Sequence, residues 1–349
     1  LYCEDCGVPH GITRGNIWYA DGTITGRHPP YIKGTFFDVD ELNCLFRSLS
    51  EYLDYDISDI VASGKYHDAK EYMGAMIGKM HEASGGKIPP DEELYRMMLY
   101  PISIWGVAIV EFKSIRPEGM VIHVKYPYSV PLLCGDVAGV ADAVTGREHR
   151  AVWEGDGEEG IMTVTPDHGY AATSGRIDEG IGYGVEPGAE ELACERCEAC
   201  GAPRGVSELF AWDRERCRIE ERSSGRRYCF NNTRGITAVL GMLVGELGED
   251  IEEKMVDIAR EYSRTLYGER AGGPRLEDEL EGFPFRGWGK VVGVPAGDRG
   301  SSFNVENPYN EVLVAGRVWG MLEAAAEGSL RITSRAGSGD TLRLAFEPS

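Results

Sequence analysis

The sequence predicts an α+β protein built as two tandem homologous domains, each with helices packed on an antiparallel sheet, related by a pseudo-two-fold axis. Three observations lead there. The opening motif Cys3-Glu4-Asp5-Cys6-Gly7-Val8-Pro9-His10-Gly11 returns as Cys197-Glu198-Ala199-Cys200-Gly201-Ala202-Pro203-Arg204-Gly205. The whole stretch from Cys3 to Gly74 then lies on Cys197 to Gly268 at one offset of 194 residues without a gap, pairing Trp18 with Trp212, Phe36 with Phe230 and Leu49 with Leu243. Finally, the apolar spacing runs through strand and helix periods in one repeated order, and repetition on this scale decides architecture.

The second halves also match after small register shifts. Pro101 to Trp105-Gly106 answers Pro284 to Trp288-Gly289, Val124-x-x-Pro127-Tyr128 answers Val305-x-x-Pro308-Tyr309, and Gly135 and Gly139 answer Gly316 and Gly320. The copies are expected at 1–166 and 194–349. Residues 167–193, rich in Gly, Glu and Ala without periodicity, are expected to be a linker.

Each element follows from local chemistry. Cys-x-x-Cys-Gly is a metal knuckle in form: the two-residue gap aims both thiolates at one ion and the glycine folds the backbone beneath it. Ile17 to Thr25, with Trp, Tyr, Thr and Ile around Asp21-Gly22, predicts a hairpin. Val39, Leu42, Leu45, Phe46, Leu49, Tyr52 and Leu53 recur at helical spacing, and so do Ile57, Ile60, Val61, Gly64, Tyr72, Met73, Met76 and Ile77. Both helices carry one apolar and one charged face. The β-branched runs Val107 to Phe112 and Met120 to Tyr126 predict strands. Leu132 to Val144 gives a third helix, and Ala151–Glu154 with Ile161–Thr165 a closing hairpin.

Composition narrows the class. With 349 residues, 42% hydrophobic and 27% charged, the chain suits two globular domains. A net charge of -21 argues against binding nucleic acid or an anionic membrane surface, which need basic patches. The longest apolar stretch, Ile236 to Val244, is too short to span a bilayer. No basic-then-apolar leader precedes the first knuckle, and nine cysteines, an odd number, fit a reducing compartment better than a disulfide scaffold. The expectation is a cytoplasmic protein.

The run Asn307-Pro308-Tyr309, then Val314-Ala315-Gly316-Arg317-Val318-Trp319-Gly320-Met321-Leu322-Glu323, then a glycine-punctuated hairpin ending in Phe346-Glu347-Pro348, resembles the 4-vinyl-reductase type of domain, often labelled predicted hydrocarbon-binding. Its counterpart runs from Tyr126-Pro127-Tyr128 through Gly135 and Gly139 to Val164 and Pro166. The resemblance implies an α+β ligand-binding fold, related to haem nitric-oxide sensors and vesicle-tethering subunits, with a pocket for a small apolar molecule between helices and sheet. It implies a non-catalytic sensor or carrier. The family often carries cysteines in and before the last hairpin; this chain has Glu154 and Gly157 in one copy, and Ser334 and Gly337 to Asp340 in the other, so no role of those cysteines transfers.

One knuckle supplies two ligands and a closed zinc site takes four, so Cys3, Cys6, Cys197 and Cys200 are expected to converge on one structural zinc across the axis. The alternatives are separate reduced pairs or disulfides, a local site in the second copy with Cys194, Cys217 and Cys229, or an iron–sulfur site at Cys194, Cys197 and Cys200. Candidate ligand-binding residues are Trp105, Tyr128, Gly135 and Gly139 in the first copy and Trp288, Tyr309, Gly316 and Gly320 in the second: flat aromatic walls suit apolar guests, and paired glycines leave space. Core packing of the aromatics, and close packing of the glycines against the sheet, compete with that reading. His67 and Glu71 share a helix face at ligand spacing, but Asp68 and Lys70 beside them mark it as wet. Gly155, Gly157 and Gly160 fit a hairpin turn better than a dinucleotide loop, and no catalytic motif stands out. The function expected is binding of a small hydrophobic molecule, with structural zinc and no catalytic residue. A homodimer and a place in a larger enzyme complex are both compatible with it. The rival classes are a reductase or accessory subunit acting on an aromatic or tetrapyrrole substrate, and a ligand-free scaffold.

Overall fold

The computed structural model describes residues 2–29, 31–116, 119–167, 170, 186, 188, 190–268, 276–297, 300–326, 328–338 and 340–349. His168 and most of 167–193 lie outside the described residues. The first half of the chain forms α1 (His10–Thr13), β1 (Asn16–Trp18), β2 (Ile24–Gly26), β3 (Lys33–Asp38), α2 (Val39–Leu53), α3 (Ser58–Ala83), α4 (Asp91–Leu99), a 3-10 turn (Tyr100–Ser103), β4 (Ile109–Arg116), β5 (Gly119–Lys125), α5 (Val130–Thr145), β6 (His149–Gly155) and β7 (Glu159–Pro166). The second half repeats the order as α6 (Arg204–Leu209), β8 (Phe210–Asp213), β9 (Arg218–Glu221), β10 (Arg227–Asn232), α7 (Thr233–Leu247), α8 (Asp250–Gly268), α9 (Leu276–Glu281), α10 (Phe283–Arg286), β11 (Lys290–Gly297), β12 (Gly300–Glu306), α11 (Glu311–Ala326), β13 (Leu330–Ser338) and β14 (Thr341–Pro348). No helix among the described residues is long and apolar enough to cross a membrane.

The two copies share one antiparallel sheet of six strands, in the order β1-β2-β3-β10-β9-β8. At its centre β3 pairs with β10, and Phe36 stands opposite Phe230. These two residues correspond between the copies, so the pseudo-two-fold axis passes between them. Sequence reasoning did not anticipate β3. Its sequence is Lys-Gly-Thr-Phe-Phe-Asp, and the five residues from Gly34 to Asp38 are buried on both faces without alternation. Each central strand runs directly into a helix through a side-chain cap: Asp38 accepts from the N–H groups of Asp40 and Glu41, and Asn232 from that of Gly235.

Each copy adds its own four-stranded antiparallel sheet, β4-β5-β7-β6 and β11-β12-β14-β13. Alternate residues Met120, Ile122 and Val124 of β5 and Met162 and Val164 of β7 are buried, as a half-covered sheet requires. Helix α5 lies between that sheet and α3, and α3 in turn packs on α7 of the other copy. Every residue from Val61 to Tyr66 is therefore buried, and the face expected to be wet is so only in part: Glu71 is exposed and Lys70 partly so, but Asp68 is buried against Lys65, with Nζ 3.0 Å from its carboxylate. Glu71 pairs with Arg234 from the second copy.

The glycine pairs face helices, not the sheet. A Cβ on Gly135 would lie 2.3 Å from the Ala62 carbonyl oxygen, and one on Gly139 2.6 Å from that of Tyr66, so α5 passes α3 almost backbone to backbone. Gly316 and Gly320 do the same for α11 against Val256 and Arg260 of α8.

The structure also refines the correspondence between the copies. In the outer hairpins Trp18 pairs with Ile24 and Trp212 with Ile219, so the offset is 195 in β9 before returning to 194 in β10. In the second halves one offset of 181 holds as far as the start of β13, and a register shift between Ile332 and Ser334 makes it 182 in β14. Val107 N–H donates to Ile102 O as Trp288 N–H does to Phe283 O, both at 3.0 Å, and Gly106 bonds Ser103 as Gly287 bonds Pro284. Trp288 thus corresponds to Val107, and Trp105 to Arg286; the two tryptophans are not counterparts.

Candidate functional site

Two features bring chemistry-bearing residues together at the junction of the copies. The first is the pair of knuckles. In each, the first cysteine's N–H donates to the residue before proline (Cys3 to Val8 O, 3.0 Å; Cys197 to Ala202 O, 2.8 Å), and Gly7 and Gly201 donate back to Cys3 and Cys197. Both glycines have φ near +75°, which lets the turn close. The knuckles then face one another, with Cys3 Sγ 3.8 Å from Cys197 Sγ and Cys6 Sγ 3.5 Å from Cys200 Sγ. All four sulfurs lie within 4.8 Å of one another.

That spacing fits a metal. Thiolates at about 2.3 Å from a tetrahedral zinc stand about 3.8 Å apart. Backbone N–H groups of Cys6 and Asp5 lower the Cys3 pKa to about 7. Burial raises those of Cys6 and Cys200, an opposition that a bound dication would remove. All nine cysteines are free of disulfides, and Cys194, Cys217 and Cys229 do not join the cluster.

The second feature is a cavity of about 390 Å³ between the copies. Its floor is bare backbone at Gly11, Gly15, Gly26 and Gly34. Its apolar walls are Trp105, Tyr72, Met76 and Ile32 from the first copy and Phe230 from the second, with amides of Asn16, Asn231 and Asn232 among them. Exposed Arg27, His28 and Lys79 stand at its mouth. A recess of about 40 Å³ adjoins it, sharing Trp105, Tyr72, Asn231 and Asn232, and reaches Lys65, Asp68 and Asp136. Burial opposes the charge of Lys65, but Asp136 and Asp68 outweigh it and hold its pKa above the ordinary lysine value. The recess is thus lined by a closed ion network, with the Tyr128 hydroxyl donating to Asp136 at 2.7 Å.

Across the axis, the described residues at matched positions are larger and packed. Tyr228 stands where the first copy has Gly34, Phe210 where it has Asn16, and Trp288 where it has Val107. The rings pack on one another: Phe210 lies 4.6 Å from Phe36 and 4.9 Å from Tyr228, which stacks on Trp288 at 6.3 Å. Arg317, in the place of Asp136, sits 3.7 Å over the Trp288 ring and pairs with Glu41 of the first copy. Arg286, in the place of Trp105, pairs with Glu221 at 2.7 Å.

Of the eight residues expected to touch a ligand, Trp105 lines the open cavity. Tyr128, Trp288 and Tyr309 are buried, Trp288 donating Nε1–H to the Phe36 carbonyl at 2.8 Å, and Gly135, Gly139, Gly316 and Gly320 are helix-crossing positions. Sequence reasoning missed Gly34, Tyr72, Phe230 and the Asn231-Asn232 pair. A usable signal was present: laying the copies together sets Gly34 against Tyr228 and Asn16 against Phe210, two small-for-large exchanges at matched positions.

No family model matches the chain. No curated protein matches it at a significant level. Among solved structures, the phenol-responsive sensory domain of the transcription activator PoxR with phenol is similar over 47% of this chain and 92% of its own, at 12% identity and a TM-score of 0.37. A structure from a study of heme distortion in the H-NOX family is similar over 33% of this chain and 71% of its own, at 11% identity and a TM-score of 0.23.

Proposed function

We propose that this protein binds a small, largely apolar molecule, and that its two copies, 1–166 and 194–349 around a linker at 167–193, are clasped by one structural zinc on Cys3, Cys6, Cys197 and Cys200. The observation that carries the binding reading is the cavity beside Trp105, whose size and apolar walls suit a small organic guest. Burial of apolar area, at about 25 cal/mol per Å², would dominate the affinity. The motif resemblance to hydrocarbon-binding domains supports the same reading. The zinc reading rests on four sulfurs at tetrahedral spacing and on a donor set with no open position, which suits a structural rather than a catalytic ion. Free thiols and strong negative charge fit a reducing, cytoplasmic setting without nucleic acid or membrane as partner.

Native mass spectrometry of the purified chain tests both parts. The expected mass carries one zinc per chain, with an organic adduct released on solvent extraction. Two zincs per chain would end the shared-site reading. A chain that neither carries an extractable compound nor takes up an apolar dye would end the binding reading.

A further inference from the structure

The two sides of the axis have diverged in opposite directions. On one side Gly34 and Asn16 leave room in the cavity and Val107 in the adjoining recess; on the other Tyr228, Phe210 and Trp288 stand at the matched positions and stack into the core. Duplication would ordinarily give two equal pockets. Here Tyr228, Phe210 and Trp288 of the second copy pack together at the matched positions, while Phe230, Asn231 and Asn232 join the wall of the first copy's cavity.

The charge at the opening is also out of keeping with the chain. The sequence has 57 acidic residues against 36 basic ones, yet none of the described residues lining the cavity is a carboxylate, and Arg27, His28 and Lys79 ring its mouth. Arg27 donates Nε–H to the Arg14 carbonyl at 3.2 Å and Lys79 donates Nζ–H to the Pro29 carbonyl at 3.1 Å. These bonds hold both heads in place and leave further N–H donors on each. Neither is ion-paired with a carboxylate among the described residues.

Resting on the binding reading above, we infer that the protein has one ligand site per chain, in the cavity on the first copy's side of the axis, and that the site takes a flat apolar molecule bearing a single anionic group. The aromatic body lies against Trp105 and Phe230 over the glycine floor. The anionic group stays at the mouth, where Arg27 and Lys79 meet it while it keeps part of its hydration. A fully buried anion would lose that hydration, and the interior cation, Lys65, is already neutralised by Asp68 and Asp136.

The test is a fluorescence titration of the full chain with anilinonaphthalene sulfonate and with neutral N-phenylnaphthylamine, which has the same rings without the charge. The expected result is one sulfonate per chain, bound about tenfold more tightly than the neutral dye at low ionic strength. Arg27→Glu with Lys79→Glu should weaken the sulfonate about tenfold and leave the neutral dye within about twofold. Asn16→Phe, which gives the first copy the side chain of position 210, should remove both, with zinc content and circular dichroism unchanged. If it fails to fold, the exposed charge reversals still decide the matter. Equal affinity for the two dyes, indifferent to those reversals, would overturn the anionic class while leaving apolar binding intact. Two equivalents per chain would overturn the single site. Failure of the native protein to bind either dye, with no extractable compound already in place, would instead bring down the underlying binding reading.

Discussion

Gly135 and Gly74 look alike in the sequence, each a glycine inside a helical pattern, but they do different physical jobs. A Cβ on Gly135 would lie 2.3 Å from the Ala62 carbonyl oxygen, and α5 cannot back away without leaving its sheet. Gly135→Ala should therefore cost about 1–3 kcal/mol as overpacking, seen as a lower urea midpoint at unchanged slope. Gly74 meets nothing within 4 Å, so Gly74→Ala should stabilise by about 0.5–1 kcal/mol through helix propensity alone. A loss at Gly74, or no loss at Gly135, would contradict the packing described. At the same scale, Lys33 Nζ donates to the carbonyls of Asn307 and Pro308, both at 3.0 Å, as Arg227 does to Tyr126 and Pro127 in the other direction. Burial pushes the Lys33 pKa down to about 8, with Asp21 and Asp340 resisting. Above that pH the native amine is neutral, whereas the unfolded lysine keeps its proton until about 10.4, so the unfolded state binds more protons and stability rises across that window. Below pH 8 both states are protonated and the cost is constant. Thermal melts of wild type and Lys33→Met between pH 7 and 10 should differ in slope by this rise; parallel profiles would show that Lys33 is not desolvated.

Among elements, the contact of α11 with α2 shows what sequence periodicity reveals and what it leaves hidden. The bounds of α2, 39–53, were legible because its apolar residues recur at helical spacing from Val39 to Leu53. The hidden part was that α2 carries Glu41 to Arg317, 276 positions away, with both side chains at most 2% exposed. Buried charge inside an amphipathic helix reads from sequence as a wet face, and the same error hid Asp68 on α3. The glycine spacing of α5 was legible, but its partner was not, since one-dimensional pattern does not say whether a sheet or a helix lies opposite. The buried pair itself is expected to behave as follows. Glu41→Gln leaves the Arg317 guanidinium desolvated and short of its counter-charge, and should cost about 3–5 kcal/mol. The double change Glu41→Met with Arg317→Met removes both charges together and should cost distinctly less than the sum of the single changes. Additive losses in urea denaturation would mean that the two groups do not compensate one another.

For the whole molecule the question is which contact holds the copies together, and the knuckles, though most conspicuous in the sequence, are not the obvious answer. The knuckles join the copies through four sulfurs, whereas the seam is far larger: five residue pairs of β3 with β10, α3 against α7 so closely that a Cβ on Gly64 would stand 2.7 Å from the Val239 Cα, and α2 against α8. The seam was half legible, since the repeat required two like lobes, but not that a shared sheet would join them, because a strand buried on both faces carries no alternation. If the seam dominates, the chain tolerates a cut. Residues 1–178 and 179–349 expressed together should purify as a one-to-one complex, retained on a tag carried by either half, because separating them would expose the unpaired edge of β3 and the apolar faces of α3 and α2. Chelation of that complex should lower its melting temperature by releasing the clasp, since a structural metal contributes folding free energy, yet leave the halves associated. Cys197→Ser in the intact chain should abolish zinc uptake with the same partial loss. Halves that separate on chelation would make the four sulfurs the primary bond between the copies and the six-stranded sheet secondary. Halves that purify apart as stable monomers even with metal would mean that each copy closes its own core, and that the sheet across the axis forms only because the chain tethers its two sides.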